Sequence, residues 1–185
     1  MSEPLPASEL DAIRPLILID VDGVLNPFRK PGPEWIRTKC SAGGRSYNMI
    51  LNPEHGPKLL AVAAETGAEL VWATTWEHDA NREISPKIGL PGLPVIEVER
   101  DNQHLHLHDP VRHKTPHVAA WVKGRPFVWL DDYLTDRDEA YLRDHEGVGD
   151  FLIIHVDDGL GITDDDLAEA AAWLTEHAAA GEGER

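Results

Sequence analysis

Cysteine is nearly absent: Cys40 stands alone among 185 residues, so neither an intrachain disulfide nor a thiolate metal cluster can form. A reducing compartment suits such a chain, and a cytoplasmic location is the expectation. Basic residues are scarce too, with 17 lysines and arginines against 33 aspartates and glutamates, for a formal net charge of -16. A molecule of that sign repels polyanions as a whole, and no lysine or arginine cluster is dense enough to track a phosphate backbone, so nucleic acid is a disfavoured partner. Long apolar runs are also missing. No stretch approaches the length of a bilayer span, and the opening MSEPLPASELDAIRP lacks the basic and apolar regions of a secretory leader, so no membrane partner is expected. What is present is an ordinary globular balance: 42% hydrophobic residues exclude the apolar-poor composition of disorder. The length predicts one domain over 1–185, with a core over about 14–178 and loose ends, the last being Gly181-Glu182-Gly183-Glu184-Arg185.

Strand and helix signals alternate along the chain, which predicts an α/β fold: a Rossmann-like, doubly wound parallel sheet with helices on both faces. Leu16-Ile17-Leu18-Ile19, bounded by Pro15 and an aspartate-rich turn, reads as a buried central strand ending at Asp20. Pro53 to Thr66 has helical spacing, with Gly67 at the C-terminal cap position. Leu70 to Ala73 and Leu93 to Val98 read as strands, and an Asp101-Asn102 turn precedes the alternating His104-Leu105-His106-Leu107-His108. Thr115 reads as an N-cap before Pro116, opening a helix to about Lys123. Phe127 to Leu130 is a further buried strand ending at Asp131-Asp132, and Thr135 with Asp138 resembles a capping pair. Phe151 to Val156 supplies a fifth strand. Thr163 and the carboxylates Asp164, Asp165 and Asp166 then begin a last helix running to about Ala179.

Ligands of open parallel sheets bind outside the carboxyl ends of the strands, so polar residues directly after strands carry the functional reading. Four such places occur: Asp20-Val21-Asp22-Gly23, Thr74-Thr75, Lys114 and Asp131-Asp132. Asp20 and Asp22, one residue apart at the end of an extended segment, are expected to point the same way into one pocket. Crowded like charges raise one carboxyl's pKa unless a cation intervenes. Gly23 allows a sharp turn whose amide hydrogens could face phosphate oxygens. Aspartates after strands are also common turn formers, so the pair alone does not decide the matter.

The string Asp20-Val21-Asp22-Gly23-Val24-Leu25 after an apolar strand resembles the first motif of the haloacid dehalogenase-like hydrolases. The resemblance continues in order with Thr74, Lys114 and Asp131-Asp132, spanning 16 to 132. More narrowly, His113-Lys114-Thr115-Pro116-His117 followed by the segment from Gly124 to Asp132 resembles the phosphatase-like domains of RNA repair proteins.

That resemblance implies a magnesium-dependent hydrolase of phosphate monoesters. Asp20 would be the nucleophile, forming an aspartyl-phosphate, and Asp22 the proton donor and later the base. The implied metal ligands are Asp20, the Asp22 backbone carbonyl, Asp131 and Asp132, the last directly or through water. Gly23, Thr74, Thr75 and Lys114 would hold the phosphate, with Thr74 and Lys114 acting in catalysis. Thr75 rivals Thr74 for the hydroxyl role, and Lys123 rivals Lys114. About fifty residues separate Asp22 from Thr74, taken up by a loop from Asn26 to Asn52 and one helix, which leaves no room for a large cap. A small-molecule or end-group phosphoester is then the expected substrate. Two other readings stay open: a scaffold that binds without turnover, and a phosphotransferase. Trp35, Tyr47, Trp76 and the histidine strand could wall the pocket or pack in the core. Three alternating histidines could ligate zinc or form a polar strand face.

Overall fold

The computed structural model describes residues 14–98 and 113–180; the histidine strand, the Asp101-Asn102 turn and both expected loose ends lie outside them. Four parallel strands form the main sheet: β1 Leu16–Ile19, β4 Glu69–Trp72, β5 Phe127–Asp131 and β6 Phe151–His155, in the order β4-β1-β5-β6. Every residue of β1 and β5 is buried, as expected of strands covered on both faces. Alternate residues divide between two apolar layers. Ile17, Ile19, Val128 and Leu130 meet Leu59 and Val62 of helix α1 (His55–Thr66) and Leu167, Ala170 and Leu174 of helix α5 (Asp164–Ala180). Leu16, Leu18, Phe127 and Trp129 meet Val118, Ala119 and Val122 of α3 (Thr115–Val122) and Leu142 of α4 (Asp136–Asp144). The chain runs from β1 to β4 on one side and to β5 on the other, so the strand order reverses at β1. A crevice at the carboxyl ends of β1 and β5 follows from that reversal.

Several local expectations hold. Gly67 closes α1 in the left-handed region at φ 70°. Thr135 and Asp138 form a capping box, the Thr135 amide donating to Asp138 Oδ2 at 2.9 Å. Thr163 and Asp166 do the same for α5, at 2.7 Å. Three expectations need correction. Leu93 to Val98 is not a strand: it touches β4 through a single bridge, Trp72 to Val95, because Pro91 and Pro94 cannot donate to a ladder. Thr115 is not an N-cap: the helix already includes it, and its hydroxyl donates instead to Asp138 Oδ1 at 2.7 Å.

The third correction concerns the supposed loop from Asn26 to Asn52, which holds an antiparallel hairpin, β2 Ile36–Ala42 and β3 Arg45–Leu51, in register from Ile36 opposite Leu51 to Ala42 opposite Arg45. Gly43 and Gly44 turn it with φ of 55° and 75°, the two consecutive positive values that a tight hairpin turn of the right twist demands. Cys40, Ala42, Met49 and Leu51 are its buried residues, at the period of two that a half-covered ribbon requires. It leans on a π-helical turn, Ala80–Ile84, that leads into the short helix α2 (Ser85–Ile88). The Ser41 amide donates to Glu83 Oε2 at 3.1 Å and the Gly43 amide to Asp79 Oδ2 at 3.0 Å. This ribbon takes the place of a large cap. No helix among the described residues is long and apolar enough to cross a membrane.

Candidate active site

β1 and β5 are hydrogen-bonded neighbours, so the residues that end them are brought side by side at the carboxyl edge. The Asp20 amide donates to the Leu130 carbonyl at 3.1 Å, holding the start of the first motif against the end of β5. Oxygen atoms of Asp20, Asp131 and Asp132 lie within 4.8 Å of one another. Lys114, just ahead of α3, reaches this cluster from the adjoining helical layer. Its Nζ donates to Asp20 Oδ2 at 2.7 Å and to Asp131 Oδ2 at 2.5 Å. The bond from Thr115 to Asp138 ties the start of α3 to the start of α4, and so steadies the lysine one residue earlier.

Burial sets the electrostatics here. Asp131 is fully buried, and that burial pushes its carboxyl up to about 6; Lys114 pulls it down and Asp20 adds to the rise. Burial alone would push the Lys114 ammonium down, but the charges of Asp20 and Asp131 outweigh it and hold the group above its usual range. The lysine therefore stays charged. Asp132 is raised as well, by burial first and by Asp20 second. The like-charge crowding expected between Asp20 and Asp22 thus falls on Asp20, Asp131 and Asp132. Three carboxylates from two strand ends form an all-oxygen donor set, which suits a hard divalent cation of the magnesium or calcium kind and not a thiophilic metal.

Asp22 has a different setting. Its Oδ1 accepts from Asn26 Nδ2 at 2.8 Å and its Oδ2 from the Trp76 indole N–H at 2.9 Å, so both carboxylate oxygens are oriented by neighbours. It lines a cleft of about 490 Å³ together with Thr75 and Trp76. Thr74 is fully buried two residues after β4, while Thr75 is half-buried and faces that cleft. Gly23 adopts φ 78°, and its amide donates to the Asn26 carbonyl at 2.9 Å. The expectation that this N–H faces phosphate is therefore not met: the turn itself uses it. A side chain at Gly23 would overlap the Asp132 carboxylate, so glycine is required there by a positive φ and by a close approach. Lys123 sits at the far end of α3, in the left-handed cap position at φ 50°, leaving Lys114 as the lysine at the cluster.

Sequence reasoning missed Asn26 and Trp76 as the residues that orient Asp22. Their only signal was proximity to the first two motifs, at positions where a turn residue and a core aromatic read equally well. It also missed Asp138 as more than a cap, since the contact to Thr115 joins residues that are far apart in the chain.

The family model described as the HAD domain in Swiss Army Knife RNA repair proteins matches residues 16–167. No curated protein and no solved structure matches the chain. The matched stretch begins with the first residue of β1, ends inside α5 and takes in Asp20, Asp22, Lys114, Asp131 and Asp132. This chain therefore belongs to the haloacid dehalogenase-like domains that the family model describes.

Proposed function

We propose that this protein is a cytoplasmic, magnesium-dependent phosphohydrolase acting on phosphate monoesters through an aspartyl-phosphate. The observation that carries this reading is the convergence of Asp20, Asp131 and Asp132 oxygens at the switch point of the sheet, with the Lys114 ammonium bonded to the first two. Membership of the HAD-like family supports a hydrolase of the phosphatase type.

In the proposed reaction an Asp20 oxygen forms a bond to phosphorus as the ester oxygen leaves, and Asp22 gives that oxygen its proton. Water then attacks the phosphorus of the aspartyl-phosphate, Asp22 takes a proton back, and the Asp20 carboxylate is restored. Lys114 offers a fixed positive charge to the phosphoryl oxygens and keeps Asp20 oriented; the hydroxyls of Thr74 and Thr75 would donate to the same oxygens. Magnesium, held by Asp20, the Asp22 backbone carbonyl and Asp131, with Asp132 directly or through water, would neutralise charge on the transferring group. Asn26 and Trp76 keep the Asp22 carboxylate aimed at the cleft.

With a ribbon in place of a large cap, the edge can admit a phosphate on a small metabolite or one at the end of a larger molecule. The family description concerns RNA repair proteins, so nucleic-acid ends belong in any substrate panel, although a net charge of -16 disfavours a long polyanion. The test is phosphate release across a broad phosphoester panel with magnesium, repeated after chelation and with Asp20→Asn. Release should depend on the metal and fall at least about a thousandfold in the variant. A panel that yields no phosphate, or an Asp20→Asn protein as active as the parent, overturns the reading.

A further inference from the structure

The hairpin β2–β3 has a charge unlike the rest of the chain. Residues 36–51 contain Arg37, Lys39 and Arg45 and no acidic residue, in a protein whose formal net charge is -16. One basic ribbon is thus set beside the edge where the phosphoryl chemistry is proposed. The cleft of about 490 Å³ lies between them, with Asp22, Thr75 and Trp76 on the sheet side and Arg45, Tyr47 and Asn48 on the hairpin side.

Arg45 is exposed, and its guanidinium has no hydrogen bond or ion pair with any described residue. It is not one of the groups around Asp20, whose carboxylate is met by Lys114 and by the Val21 amide. Tyr47, 42% exposed, presents its ring in the same cleft and packs against Trp76 edge-to-face at 5.4 Å between centroids. Trp76 in turn holds Asp22, so the aromatic wall is continuous with the proposed proton donor. An unpaired guanidinium beside an open aromatic face can fork to an anion while a planar ring lies on the tyrosine.

We propose that Arg45 and Tyr47 form the substrate-recognising wall of this cleft and select a phosphomonoester whose leaving-group side carries a planar ring and a second anionic group. An organic bisphosphate of this kind is preferred over a monophosphate. This rests on the phosphohydrolase reading for which phosphate reacts, but its test does not need turnover.

The experiment titrates Asp20→Asn protein, with magnesium present, against adenosine 3′,5′-bisphosphate and against the two adenosine monophosphates, then repeats the titrations in an Asp20→Asn, Arg45→Ala background. The bisphosphate is expected to bind at least about tenfold more tightly than either monophosphate, and Arg45→Ala should remove that preference while leaving monophosphate affinity within about threefold. Retained monophosphate binding shows that the cleft is intact. No preference, a preference that survives Arg45→Ala, or an equal loss for all three ligands overturns the proposal. A parent protein that binds with the expected preference yet releases no phosphate from any substrate removes the phosphohydrolase reading and leaves this one standing.

Discussion

The parallel sheet and the β2–β3 hairpin are both β structure, yet they solve opposite problems. Every residue of β1 and β5 is buried, and the acids at their ends inherit that burial: Asp131 is fully enclosed and Asp20 nearly so. The hairpin is half-covered, with Arg37, Lys39 and Arg45 all exposed. A low-dielectric setting makes charge at the sheet edge energetically costly and chemically useful, whereas charge on the ribbon is solvated and free to meet a ligand. On the proposed reading chemistry and recognition separate onto the buried sheet and the exposed ribbon, joined across the cleft by Trp76, which holds Asp22 and packs on Tyr47.

Three tests probe that division, beginning with the largest effect. Lys114→Met leaves Asp20 and Asp131 facing each other without their cation, and the metal-free protein should lose about 3–5 kcal/mol in urea unfolding. Added magnesium should recover part of the loss. A change below 1 kcal/mol would mean that the sheet edge is no more coupled than the ribbon.

The second concerns the joint between the two regions. Trp35 precedes β2 and His55 follows β3; their rings meet edge-to-face at 4.8 Å, and both are buried. Burial, and secondarily the charge of Lys58, push the His55 imidazole down to about 4. The folded state thus declines a proton that the unfolded chain accepts below about 6.5. The contribution of His55 is complete above that pH and is lost as pH falls towards 4, by about 2–3 kcal/mol at pH 4.5. Asp131 slopes the other way: its raised carboxyl favours the folded state most below about 4, and that gain is lost as pH rises through about 6. The readout is accordingly the difference between parent and His55→Gln unfolding at pH 7 and pH 4.5. Equal pH dependence in the two proteins would show that the joint admits a proton freely.

The smallest effect belongs to the ribbon's outer charges. Arg37→Gln and Lys39→Gln should each change stability by no more than about 0.5 kcal/mol, since both side chains are exposed and neither has a partner among the described residues. A larger drop by the same urea measurement would make the ribbon part of the cooperative core and blur the division.

The sheet, its helices and its strand-end carboxylates were legible because each rests on a local pattern. Leu16-Ile17-Leu18-Ile19 is apolar throughout, Gly67 and Thr135 punctuate their helices, and Asp20 and Asp131 follow strands directly. The hairpin was overlooked although Gly43-Gly44 is a strong turn signal, because its strands alternate small and polar residues with few aliphatics. Leu93 to Val98 misled in the opposite sense: its other residues suit a strand, but Pro94 does not.

By itself the sequence determined which residue types stand at the ends of which strands, and hence that several carboxylates and a lysine were available for one reaction. Tertiary structure alone decided how they divide. Asp131 came to share Lys114 with Asp20, Asp22 turned to Asn26 and Trp76, and Arg45 was left across the cleft without a partner among the described residues. The physical reason is that strand pairing and helix packing join residues distant in the chain, and a side chain's charge acquires its meaning only from the neighbours and the burial that those contacts impose.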